Sequence, residues 1–417
     1  MIALPLHLRR CILLSAAAAL SLNAAASRAL ADGDIVAGPS DLPVQISADS
    51  CPRPADEHWA ERAAKRSLTP QLGLPPLVYP ADNPPTAARI TLGRQIFFDR
   101  ALSINNTMSC AMCHVPEQGF ANWELATSVG VEGRSVKRNA PSLINVGLLD
   151  PLFHDGRDPM LETQFIGPLT ARNEMANPSA GRVVSHLQTD NAYNTLFHEA
   201  FGAPASLDRI GMALAAYQRA LTVGNSPFDQ WFYGEDQTAV SPSAKRGFEL
   251  FRDKAGCVSC HSLGPEHAIF TDQQFHDTGY GQMRELERQN PPKTLPVQVA
   301  PGVIHHVDYD LVRAVSGPRD ADLGRYEVTE DPQDRWRFRT PTLRNLAVSP
   351  PYMHDGGFST LAEVIDYYDS GGAGLPGQDP RVRPLGLSHR EKSDLLAFIS
   401  TLTSSGLDCL VADARQP

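Results

Sequence analysis

Apolar residues recur at helical spacing along much of this chain, and they do so twice in the same order. Leu214, Tyr217 and Leu221 fall on one helical face, as do Leu395, Phe398 and Leu402. The second stretch opens with Ser388 and Glu391, the spacing of a capping box. Upstream, Gly93-Arg94-Gln95-Ile96-Phe97-Phe98-Asp99 and Gly247-Phe248-Glu249-Leu250-Phe251-Arg252-Asp253 both read as helices, and a further helical pattern runs from Leu361 to Tyr368. No sustained strand alternation is expected anywhere. Residues 32–85 are Pro-rich with little periodicity and read as an extended arm. Segment 262–340 reads as an irregular insertion rich in Pro and charge, and residues 406–417 as a C-terminal tail.

The echoes continue at a fixed offset. Pro141-Ser142-Leu143-Ile144-Asn145 recurs as Pro341-Thr342-Leu343-Arg344-Asn345. Phe153-His154-Asp155-Gly156 recurs as Met353-His354-Asp355-Gly356, and Leu161 as Leu361; each pair is separated by 200 residues. Two helical halves are therefore expected, at 86–240 and 241–405, with a cleft between them.

The first residues read as an address. Arg9 and Arg10 precede an apolar stretch from Cys11 to Leu22, and Ala29-Leu30-Ala31 has the form of a cleavage site. The run is too short for a membrane span, and no later segment reaches that length. Residues 1–31 thus read as a signal peptide, cleaved near Ala31, of a periplasmic protein; its removal takes the net charge from −10 to −13. With 42% hydrophobic and 20% charged residues the chain is globular, and the lack of a long basic run argues against nucleic acid or an anionic membrane as partner.

Cysteine spacing narrows the chemistry most. Cys110-Ala111-Met112-Cys113-His114 and Cys257-Val258-Ser259-Cys260-His261 both have the form C-x-x-C-H, the attachment motif of c-type haem. The two thiols of each motif add to the haem vinyl groups, and the following His supplies the proximal nitrogen to iron. The fold class that follows is mainly α and loop-rich, with two cytochrome-c-like haem domains related by internal duplication. Cys51 and Cys409 remain, near the two ends, as either a disulfide or two free thiols.

The offset exposes one asymmetry. Tyr368 in the second half corresponds to Pro168 in the first. A phenol oxygen can bind ferric iron opposite His261, whereas proline cannot ligate at all. The second haem is expected to be six-coordinate, His261 and Tyr368, with Tyr367 and Met353 as rival ligands. The first is expected to keep His114 and an open distal side.

These stretches together resemble bacterial dihaem cytochrome c peroxidases, and more closely the MauG-like branch of that superfamily, over about residues 90–405. The resemblance rests on Gly93 to His114, Lys137-Arg138-Asn139-Ala140-Pro141-Ser142, Asp155-Gly156-Arg157, Leu161-Glu162-Thr163-Gln164 with Gly167-Pro168, Glu174-Met175, and Thr340-Pro341-Thr342-Leu343-Arg344-Asn345 through Tyr352-Met353-His354-Asp355-Gly356. It implies that Gln164 and Glu174 line the open pocket, Glu174 moving the peroxide proton and Gln164 holding the ligand. It also implies a calcium ion between the halves, held by the Asn139 side chain and the carbonyls of Ser349 and Pro351. Tyr368 is the MauG-like choice where other members place Met. Val131 stands where members that need reductive activation carry a distal His. The family usually has Trp directly before Asp-Gly-Arg; here it is His154, either an electron relay or a hydrogen-bonded core residue. Trp123, Trp231 and Trp336 are the possible substitutes.

Two function classes follow. One is an enzyme that uses hydrogen peroxide at the open haem to oxidise a partner through the second haem. That partner is a protein substrate, as the MauG-like branch implies, with a side chain such as tryptophan, or an electron-donor protein, peroxide then being reduced to water. The other class is a non-catalytic dihaem electron carrier.

Overall fold

The computed structural model describes residues 46–49, 51, 58–300, 303–316 and 321–416. The proposed signal peptide and the first part of the arm lie outside the described residues.

Two crossed helix pairs form the frame. Helix Ala87–Phe98 starts at Thr86, whose side chain accepts from the Arg89 N–H, and buries Ile90, Leu92, Ile96 and Phe97. It packs on Leu207–Ala220, which Ser206 caps. The crossing is close because position 93 is glycine: a Cβ there would stand 1.9 Å from the Ala213 carbonyl oxygen. The second pair repeats the arrangement. Pro242–Arg252 packs on His389–Ser400, and a Cβ at Gly247 would stand 1.9 Å from the Asp394 carbonyl oxygen. The Ser388/Glu391 capping box forms as read from the spacing.

Each pair anchors an apolar cluster. The first gathers Ile90, Phe97, Leu143, Leu161, Leu214 and Tyr217; the second gathers Phe228, Phe248, Phe251, Phe270, Leu395 and Phe398. Helix Pro227–Phe232 thus contributes to the second cluster, although the sequence reading placed it in the first half.

Loop features recur between the halves. Both Asp150–Pro151 and Pro350–Pro351 are cis peptides, and Asn145 and Asn345 both hold φ at 63°. The Asn145 side chain bonds both the N–H and the carbonyl of Val223, while Asn345 Oδ1 accepts from the Ser404 N–H. These asparagines fasten each post-attachment loop to the end of its closing helix.

Three expectations are corrected. The arm contains a helix, Trp59–Leu68, which buries Trp59, Ala60 and Ala63. The C-terminal tail is helical from Leu407 to Ala414 and returns to the first cluster through Leu410, Val411 and Ala414. Its Cys409 is disulfide-bonded to Cys51. Insertion 262–340 contains strands: Thr294–Ala300 pairs with Val303–Asp308, and Phe275–His276 pairs with Phe338–Arg339. The hairpin does carry an alternation, Leu295, Val297 and Val299, but proline at 296 masks it. Among the described residues no helix is long and apolar enough to cross a membrane.

Candidate active site

Helix Cys110–Cys113 is a single turn that places both thiols of the first motif and the His114 ring against one cavity. The His114 Nδ1 lies 3.0 Å from the Phe120 carbonyl oxygen. A carbonyl only accepts, so Nδ1 carries the proton and Nε2 keeps its lone pair. Burial lowers the ring's pKa and keeps it neutral. His261 repeats this: Nδ1 is 2.9 Å from the Phe270 carbonyl, and burial again favours the neutral ring. Phe120 and Phe270 both hold positive φ, 52° and 53°, which turns their carbonyls towards the rings.

The four motif thiols are free rather than paired with one another. Burial is the main reason that Cys110 is pushed up to about 12, with neighbouring Cys113 adding to the rise; Cys257 is pushed up to about 11, again chiefly by burial. These are un-ionised thiols in an apolar setting, beside a neutral imidazole with a free lone pair. That donor set fits covalently held haem at both loops.

The first motif opens on a cavity of about 80 Å³. Apolar side chains such as Phe97, Leu143, Leu169 and Leu214 form most of its wall. Gln164, Pro168 and Glu174 complete it, so the structure brings these three together with Cys110, Cys113 and His114. Burial raises the Glu174 pKa, and Arg157 partly offsets the rise. Glu174 is held from behind: its carbonyl accepts from the Val131 N–H at 2.9 Å, and Gly130 packs on the Asn173–Glu174 backbone. Val131 is itself buried and offers only its backbone here.

Gln164 closes the short helix Leu161–Gln164. Glu162 in that turn is paired with Arg219 at 2.5 Å and with Asn83 at 3.0 Å. The turn is thereby clamped to helix Leu207–Ala220. Sequence reasoning passed over Arg219 because nothing local marks a lone arginine on an otherwise apolar helix face.

At the second loop the arrangement differs. Helix Leu361–Asp369 carries Tyr367 and Tyr368. The Tyr367 hydroxyl is committed to the Thr278 carbonyl at 2.9 Å. Tyr368 lies near both motif thiols: burial first, then Cys257 and Cys260, push its pKa up to about 12, against the Thr278 hydroxyl.

Between the halves, Asn139 donates its N–H to the His354 carbonyl and Arg339 donates to the His154 carbonyl, each at 2.8 Å. The His154 Nε2 sits 3.1 Å from the Asn139 carbonyl oxygen and so donates to it. Burial, with Arg138 next, pushes the His154 pKa down to about 3, so this ring is neutral. His354 stacks on Phe338 with centroids 3.9 Å apart. The side-chain amide of Asn139 donates to the Ala126 carbonyl at 2.9 Å. Ser349 and Pro351 lie on the cis turn that leads to His354. Insertion residues also grip this region. Arg138 bridges Asp155 at 2.5 Å and Asp322 at 2.7 Å, and Arg325 bonds the carbonyls of Asp155 and Gly156. Trp123, Trp231 and Trp336 are not among these contacts.

Comparison with known proteins decides the family. Residues 87–237 match the family model described as di-haem cytochrome c peroxidase. The chain is 36% identical over 352 residues to cytochrome-c peroxidase IdrP1 of Denitromonas iodatirespirans, covering 82% of this chain and 89% of that one. The chain belongs to the di-haem cytochrome c peroxidase family. It is also 36% identical to the methylamine utilization protein MauG of Methylorubrum extorquens, over 78% of this chain and 80% of that one. A crystal structure of a MauG-like protein associated with microbial copper homeostasis superposes with a TM-score of 0.64 at 30% identity, covering 81% of this chain and 95% of that one. Members of this family are dihaem oxidoreductases, and this chain is a dihaem c-type enzyme of the peroxidase kind.

Proposed function

We propose that this dihaem peroxidase reduces hydrogen peroxide at the His114 side and draws the electrons from a protein partner through the His261 side. The reading rests on one observation. Gln164, Pro168 and Glu174 share a cavity with His114, whereas Tyr368 lies by the second motif. Haem attached at these loops would be held by His114 or His261 and would supply a redox iron.

The chain's own groups then divide the work. The Pro168 side chain has no donor atom that could close the first site, and its carbonyl is taken by the Met175 N–H. Gln164 orients a bound oxidant by hydrogen bond. Glu174, once ionised, takes a proton from peroxide and returns it to the departing oxygen. The balance is two electrons and two protons taken up by each peroxide, giving two waters. Tyr368 would offer the second site an oxygen donor, which favours high oxidation states. The same loop fastenings in the two halves support an origin by duplication of one haem-binding unit, at about 86–240 and 241–405.

The MauG-like reading, oxidation of a side chain such as tryptophan in a protein substrate, is supported by Tyr368. One observation favours the plainer reading, peroxide reduction at the expense of an electron-donor protein. His154 stands at the seam as a neutral, hydrogen-bonded ring where a Trp relay would be expected. Export to the periplasm suits the Cys51–Cys409 disulfide. Asn139, Ser349 and Pro351 are proposed as a calcium site at the seam.

The test is the ferric EPR spectrum of the haem-loaded protein, followed by peroxide. One high-spin and one low-spin haem, with the high-spin signal lost on adding peroxide, supports the proposal. Two low-spin haems indifferent to peroxide leave only an electron carrier.

A further inference from the structure

Arg339 lies on the short strand Phe338–Arg339, directly opposite Phe275, so the two side chains share a face. That face meets the first half: Phe275 approaches Gly156, and Arg339 Nε donates to the Phe153 carbonyl at 3.1 Å. The Arg339 Nη1 is buried and has no hydrogen-bond partner. Other buried guanidinium groups meet acids: Arg138 meets Asp155 and Asp322, Arg219 meets Glu162, and Arg344 meets Asp229. Among the described residues Arg339 meets no carboxylate. Asp155, the acid of the adjoining loop, is already engaged by Arg138 and Arg157.

A buried cation without a counter-ion is costly, and so is a buried N–H without an acceptor. Burial alone pushes the Arg339 pKa down to about 10. The neighbouring His154 cannot supply the missing negative charge, because its ring is neutral and donates to a carbonyl. Two residues beyond Arg339, Pro341 turns its carbonyl to the His261 ring. Arg339 therefore stands at the edge of a haem-holding loop, with an unsatisfied donor and no protein acid to match it.

We propose that Arg339 is a carboxylate-binding subsite at the seam, which holds a propionate of a bound haem. The inference rests on haem loading and, for telling the two haems apart, on the spin assignment proposed above, not on the peroxide chemistry. Either haem could provide the carboxylate, and the measurement tells them apart.

The experiment compares haem-loaded wild type, Arg339→Lys and Arg339→Gln by reductive titration and ferric EPR, without peroxide. Loss of the positive charge stabilises the ferric state. Arg339→Gln with full haem content should lower the reduction potential of one haem, the low-spin one if the His261 side supplies the propionate and the high-spin one if the His114 side does. Arg339→Lys should keep most of the wild-type value. A merely structural role would move the thermal midpoint and leave both potentials in place; unchanged potentials in Arg339→Gln overturn the proposal. If that variant fails to take up haem, a crystal structure of the haem-loaded wild type decides. Nη1 on a haem carboxylate oxygen supports the subsite, and Nη1 on water or a backbone carbonyl removes it.

Discussion

Asn139 donates its backbone N–H to the carbonyl of His354 at 2.8 Å. Arg339 and His154, displaced from this pair by 200 residues each way, make the same bond in the reverse direction at the same distance. The two halves thus hold one another by an exchanged pair of main-chain bonds. The side chains around that exchange do not match: Asn139 faces Arg339 in the alignment of the halves, and Pro168 faces Tyr368. The sequence echoes thus carry unlike groups at these two positions.

Tyr368→Phe should abolish or alter the low-spin ferric signal while both haems remain attached. Tyr367→Phe should leave that signal alone, because the Tyr367 hydroxyl is already spent on Thr278. The check is EPR of the two variants side by side. An unchanged low-spin signal in Tyr368→Phe assigns the ligand elsewhere, with Met353 next to be replaced.

Glu174→Gln should lower kcat/KM for peroxide by about 10²- to 10⁴-fold, the usual size of an acid–base contribution. The pH profile gives a second reading. Burial raises the Glu174 pKa, so the ionised base is lost as pH falls through that raised value, and activity should fall there in the wild type. In Glu174→Gln this acid limb should vanish. Peroxide consumption measured across pH, at equal haem content, is the test.

Asp229→Ala should cost about 3–5 kcal/mol, because it strands Arg344 in the interior. The pair is almost sealed, with side-chain exposures of 1% for Arg344 and 0% for Asp229. Asp229 also completes the capping box at Ser226. Urea unfolding of the haem-loaded protein measures the loss. A variant as stable as the wild type would show that the pair contributes no more than an apolar contact.

Replacing Cys51 and Cys409 together by Ser should destabilise the protein by about 2–4 kcal/mol without altering either haem spectrum. The bridge joins positions 358 residues apart and lies on the C-terminal helix, which packs on the first cluster. Thermal unfolding followed beside the optical spectrum separates the two effects.

How much of this was legible in the sequence follows from what each feature depends on. The two C-x-x-C-H motifs, the helices that precede and close them and the Ser388/Glu391 cap depend on local spacing, so they could be read directly. The Tyr368–Pro168 contrast was drawn from short sequence echoes 200 residues apart, and the Tyr368→Phe spectrum tests it. The helix Trp59–Leu68 and the strands of the insertion escaped notice, because prolines nearby broke up patterns too short to stand out.

Attachment chemistry was legible locally, since thiol and imidazole must be neighbours in the chain to serve one haem. Tertiary structure alone decided which distant groups meet. It set Glu174 and Gln164 in the wall of the His114 cavity, clamped the Gln164 turn through Arg219, committed Tyr367 to Thr278, and, among the described residues, left Arg339 without an acid. These depend on how loops hundreds of residues apart are packed together, and on which charges burial leaves unpaired. No local pattern encodes either.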